Sequence, residues 1–131
     1  MLDHVSITVP DLGAAARFYD AVMTALGVPA VGRDARWAGY GERASAAQPE
    51  RSYIALHAGS APEPEARRHW CFKARDRAAV DAFWRAGLDA GGTDDGAPGL
   101  RPQYHPHYCA AFLRDPAGNR VEAVCHREAP R

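Results

Sequence analysis

Cysteine is scarce in this 131-residue chain. Cys71, Cys109 and Cys125 are odd in number and lack the close paired spacing of a disulfide framework or a zinc knuckle, which fits a soluble protein of the reducing cytoplasm. An excess of either charge is missing too, because 16 basic residues balance 16 acidic ones. The net field therefore recommends neither nucleic acid nor an anionic membrane as a partner. Lysine is almost absent: 15 of the 16 basic residues are Arg and only Lys73 is Lys. Together with 27 Ala this reads as coding bias rather than chemistry. No apolar run approaches the length of a bilayer span, and the opening MLDHVSITVP places Asp and His too early for a signal peptide. The length suits one compact domain, and the expected ligand is a small molecule.

What the chain does contain is an internal repeat. Sliding the sequence by 65 residues aligns 4–27 with 69–92 without a gap. His4 then faces His69, Asp11 faces Asp76, Phe18 faces Phe83 and Gly27 faces Gly92. Each pair falls at the same point of the same local pattern. HVSITV alternates His4, Ser6 and Thr8 with Val5, Ile7 and Val9, and HWCFKA alternates His69, Cys71 and Lys73 with Trp70, Phe72 and Ala74; both have the two-residue period of a half-buried strand. Asp11 and Asp76 then open helices. Their apolar stripes, including Phe18, Tyr19, Phe83 and Trp84, read as core, and Gly27 and Gly91-Gly92 end them.

Short extended segments follow each helix, near 29–33, 36–41 and 52–58 in the first half and 92–96, 107–114 and 120–126 in the second. Each half thus reads β-α-β-β-β. The chain is expected to be one α+β domain over 1–131, with a first module of about 1–59 and a second of about 67–126. The Pro-containing stretch 60–68 is the connector. Asp115-Pro116-Ala117-Gly118-Asn119 is a turn cluster that pairs the last two strands as an antiparallel hairpin. The stretch 96–108 reads as an irregular loop rich in Pro, His and Tyr.

His4 and His69 open equivalent strands, so a pseudo-two-fold relation between the copies would let their imidazoles converge on a metal. Glu122, flanked by Val121 and Ala123 in a strand, supplies a carboxylate that a buried site must satisfy with a cation or donors. Two His and one carboxylate suit Fe(II), Mn(II), Zn(II) or Ni(II) and leave positions open for substrate. Taken singly, each of these residues reads more readily as an ordinary hydrogen-bonded side chain. The repeat is what groups them.

DHVSITVPDLGAAARFYDAVMTALG with His4, HWCFKARDRAAVDAFW with His69 and DPAGNRVEAV with Glu122 resemble the vicinal oxygen chelate superfamily of glyoxalases, extradiol dioxygenases and fosfomycin- and bleomycin-resistance proteins. The resemblance spans nearly the whole chain. It implies two βαβββ modules whose curled mixed sheets surround a cleft, helices on the outer faces, and a divalent metal (Zn, Ni, Mn or Fe) on His4, His69 and Glu122. It also implies a homodimer in which His4 of one chain can meet His69 and Glu122 of the other. The glyoxalase branch carries a fourth ligand on the last strand of the first module, here Tyr53-Ile54-Ala55-Leu56-His57. Ala55 at that position leaves three ligands; continuing the 65-residue offset instead brings His57 opposite Glu122, and His57 is kept as a candidate ligand.

The segment from Gly99 to Tyr108 leads into the strand beside Glu122 and should rim the cleft. Arg101 is a candidate for holding a substrate carboxylate, Tyr104 for substrate contact, and His105, Tyr108 and Glu122 for proton handling. The plain alternative is a Pro-stiffened surface loop whose His and Tyr only pack on it. The expected activity is glyoxalase-like lyase or isomerase chemistry on a small oxygen-chelating substrate. An Fe(II) extradiol-type dioxygenase and a non-catalytic binder of antibiotic-like molecules are the alternatives.

Overall fold

The computed structural model describes residues 1–129. β1 (His4–Val9) leads into α1 (Leu12–Leu26), followed by β2 (Ala30–Arg33), β3 (Trp37–Gly41) and β4 (Tyr53–Ala58). The second half repeats the order as β5 (His69–Lys73), α2 (Arg77–Asp89), β6 (Thr93–Leu100), β7 (Cys109–Arg114) and β8 (Arg120–Cys125). Asp11 accepts the Ala14 N–H at 2.9 Å and Asp76 accepts the Ala79 N–H at 2.7 Å, so both helices start on a carboxylate cap, as the repeat implies.

The strands form two four-stranded mixed sheets of matching topology, β1-β4-β3-β2 and β5-β8-β7-β6. In each, the strand before the helix pairs in parallel with the last strand, and the others are antiparallel. β1 and β5 are therefore edge strands, each paired on one side only.

Val5, Ile7 and Val9 and, in the second sheet, Trp70 and Phe72 turn toward the helices. There Phe18, Tyr19, Val22 and Phe83 join them in one core. α1 and α2 pack on each other as well as on the sheets. Gly87 makes that approach possible, since a Cβ there would stand 2.3 Å from Leu113 and 3.0 Å from Val22. Because the helices share a core, the helix-free face of each sheet is left uncovered by the chain's own other half: His4, Ser6 and Thr8 on one and His69, Cys71 and Lys73 on the other are all exposed.

The expected irregular stretch 96–108 is partly regular. β6 continues to Leu100 against β7, and two register shifts between Asp94 and Gly99 absorb Gly96 and Pro98. The β7–β8 hairpin forms as expected, and its turn is tightly knit. Asp115, which is buried, accepts N–H groups of Ala117 and Asn119, the Asn119 amide and the Tyr19 hydroxyl of α1, the last at 2.8 Å. Burial first, and then the Asp115 charge, pushes the Tyr19 phenol well above its usual range, so it stays a donor. Helix α1 of the first half thus pins the hairpin that carries Glu122.

Candidate metal centre

The β5–β8 register sets Cys71 beside Glu122 and His69 beside Arg120, all on the helix-free face. Glu122 is 2% exposed and His69 brings Nε2 to 3.1 Å from Glu122 Oε2. Nδ1 of His69 lies 3.2 Å from the Arg67 carbonyl, which can only accept, so that nitrogen carries the proton. Nε2 faces a carboxylate oxygen, donating to it when the ring is charged and presenting a lone pair when the ring is neutral. In the neutral ring two acceptors face each other, an arrangement that a metal ion between them would satisfy.

His4 repeats the pattern in the first half. Its Nδ1 is 2.6 Å from Asp3 Oδ1 and donates to that carboxylate, leaving Nε2 free. A carboxylate or carbonyl behind a ligating imidazole is the usual way its tautomer and orientation are fixed. The sequence placed Asp3 next to His4, but strict strand alternation would send it to the other face, so its role was not legible.

The other oxygen of Glu122, Oε1, accepts from the Tyr108 hydroxyl at 2.7 Å. Burial, followed by this bond, raises the Tyr108 pKa and keeps the phenol a donor. Although Cys71 is exposed as a residue, its sulfur is withdrawn from water beside Glu122, and this desolvation first and then the Glu122 charge push the thiol up to about 12.

Of the other expected residues, His105 and Tyr104 surround Tyr108. The His105 ring meets it edge-on at 5.5 Å and Tyr104 packs at 4.8 Å. The His107 N–H donates to His105 Nδ1, so the proton of neutral His105 sits on Nε2 and is given to His126 Nδ1 at 2.8 Å. Arg101 spends its donors on the carbonyls of Ala97 and Leu100 and lies over Phe112. Arg120 stands nearer the ligand face, beside His69, with Nε bonded to Asp95 at 2.7 Å. Its alternation with Glu122 along one strand is the signal in the sequence that places it on this face.

Strand register decides what periodicity left open on β4. Ser6, two residues after His4, pairs with Ala55, just as Cys71, two residues after His69, pairs with Glu122. Ala55 is thus the counterpart of Glu122, and His57, beside Thr8 and Trp37, is the counterpart of Val124.

Within one chain the His4 ring contacts Asp3 and Tyr53 and the His69 ring contacts Glu122 and Phe112. Among the described residues no group of three His, Cys, Asp or Glu side chains is close enough to hold a metal. A depression of about 320 Å³ between β1 and the connector is lined by Ser6, Thr8, Pro62, Pro64 and Trp70 and contains none of His4, His69 and Glu122. No helix among the described residues is long and apolar enough to cross a membrane.

Comparison with known proteins agrees with the fold. An uncharacterized protein of Pseudomonas aeruginosa is 33% identical over 127 residues, 92% of this chain and 85% of that protein. Among solved structures, a glyoxalase/bleomycin resistance protein from Albidiferax ferrireducens superposes with a TM-score of 0.78 at 27% identity, covering 95% of this chain and 97% of the other. The fold alone is shared with the fosfomycin resistance protein FosX from Listeria monocytogenes, complexed with Mn(II) and dihydroxypropylphosphonic acid. That likeness has a TM-score of 0.66 at 14% identity over 95% of this chain and 88% of that one. The family model of the glyoxalase, bleomycin resistance protein and dioxygenase superfamily matches residues 1–123, and the chain belongs to that superfamily.

Proposed function

We propose that the protein is a homodimeric, metal-dependent enzyme of glyoxalase-like lyase or isomerase type, in which His4 of one chain and His69 and Glu122 of the partner subunit hold one divalent ion. The observation that carries this is the matched setting of the two strand-opening histidines, each with Nδ1 held against an oxygen acceptor, and one of them with Nε2 against a buried carboxylate. The dimer is supported by the two bare sheet faces and by β1 and β5, whose outer edges have no strand partner. A two-fold axis that lays β1 of one chain beside β5 of the other satisfies both edges twice.

A divalent ion there supplies charge stabilisation for two neighbouring oxygens of a small substrate. The chain's own residues do the rest. Glu122 is the carboxylate placed to accept a substrate proton, with Tyr108 holding Oε1 and fixing the direction of Oε2. His105 and His126 brace the Tyr108 ring edge-on and so act through it. Ala55 beside Gly39 leaves the first sheet's side of the site without a fourth ligand.

That same gap favours one second reading. Two His and one carboxylate with open positions are the ligand set of Fe(II) oxygenases, and oxygen uptake with catechols would then replace isomerisation of thiohemiacetals.

Mixing two inactive variants tests the proposal. Dimers of His4→Ala and of Glu122→Gln should each lack metal. The mixed dimer keeps one site with His4 and Glu122 both intact and should regain about half of the wild-type content of about one ion per chain. Mixed dimers as empty as their parents would remove the shared site.

A further inference from the structure

The helix-free face of the first sheet has three rungs. His4, Tyr53 and Gly41 are in register at one end and Thr8, His57 and Trp37 at the other, with Ser6, Ala55 and Gly39 between them. The middle rung is a trough of small residues. The Trp37 indole folds back over it: a Cβ on Gly39 would lie 2.5 Å from the ring, so only glycine admits that pose.

Arg43 comes to the same face from the β3–β4 loop. That loop is tied at its neck by the Glu42 N–H to Ser52 carbonyl bond of 3.1 Å and the Arg51–Glu42 ion pair, and at its tip by the Ser45–Gln48 bridge. The Arg43 guanidinium lies 5.6 Å from the Trp37 ring centroid and 5.3 Å from that of Tyr53, and His4 stacks on Tyr53 at 5.2 Å. Asp20 neutralises Arg33 and Glu42 neutralises Arg51. Among the described residues Arg43 has no carboxylate partner, and its contacts are with ring faces.

We propose that Arg43, fixed by Trp37 and Tyr53, is a subsite for a carboxylate, so that the small molecule bound on this face is an organic anion. Cation–π contacts hold the guanidinium but leave its N–H edge free, and that planar fork matches a carboxylate through two parallel hydrogen bonds. One tyrosine ring separates Arg43 from His4, which places the anionic end within a small molecule's length of the ligand histidine. The subsite rests on the proposed metal centre only for what the other end of the molecule meets.

Benzoate and benzamide share the ring and a planar substituent and differ in charge, and calorimetric titration of the metal-free protein with each tests the subsite. Wild type should prefer benzoate by about tenfold, Arg43→Gln should lose that preference, and Arg43→Lys, which keeps the charge without the fork, should fall between them. Far-UV circular dichroism confirms that the variants fold. A preference that survives in Arg43→Gln, or that wild type lacks, overturns the subsite. Metal uptake measured on the same preparations separates the two proposals. Benzoate preference without uptake leaves the subsite standing and removes the metal centre, and uptake without preference does the reverse.

Discussion

The two halves share a topology and differ in what their open faces carry. The second presents a buried carboxylate braced by a phenol, with His69 aimed at it. The first presents an equivalent histidine, but Ala55 replaces the carboxylate, and the space is given to a trough roofed by Trp37 and Arg43. Duplication has thus kept one imidazole per copy and divided the remaining work. In the proposed enzyme the second half would carry the acid and base chemistry and the first would contact the ligand. Keeping both copies of the histidine requires only that the strand start with it. A second carboxylate would need the trough to be filled with a charge.

The largest test of this division is to remove the carboxylate. Glu122→Ala should reduce bound metal to below detection by elemental analysis while the dimer persists in sedimentation, whereas Ala55→Gly should leave metal content unchanged. Next in size is the clamp between the halves. Tyr19→Phe removes one donor from buried Asp115 and should cost about 1–3 kcal/mol in urea unfolding, without changing metal affinity of the folded protein.

Tyr108→Phe should weaken metal binding about tenfold, the usual scale for losing a group that orients a ligand, and should cost stability on the same scale as Tyr19→Phe, since it too takes a donor from a buried carboxylate. The smallest effect concerns acid. Partial burial works against ionisation of Asp20, yet hydrogen bonds from Arg33 and Tyr40 hold its pKa below the ordinary 3.8. A folded pKa below the unfolded one stabilises fully above the unfolded value and is lost as pH falls through the folded value. Asp20→Asn should therefore flatten the loss of stability below pH 3.8, read as melting temperature against pH.

The repeat was readable because its anchors sit where local rules are strongest: strand alternation after His4 and His69, the Asp11 and Asp76 caps, and Gly at the helix ends. The last strands were harder. Their connections differ in length, so the offset of 65 that relates the first strands no longer aligns β4 with β8, and hydrogen-bond register was needed to match Ala55 rather than His57 with Glu122. β6 ran past its expected end because its register shifts tolerate Gly96 and Pro98, which read locally as breakers. The Trp37–Arg43–Tyr53 group draws on a strand, a loop and another strand, and depends on Gly39 lacking a side chain; no periodicity encodes such a meeting. The bond between Tyr108 and Glu122 was approached more closely, since the hairpin at Asp115 could be recognised and brings the two strands together.

The hydroxyl that α1 lends to the Asp115 turn has an evolutionary reading. Each product of a cut in the 60–68 connector would be missing a piece: one would expose a phenol without its acceptor, the other a carboxylate without one of its donors. Fragments expressed from two genes should find each other again, because what was once a repeated unit has become half of one.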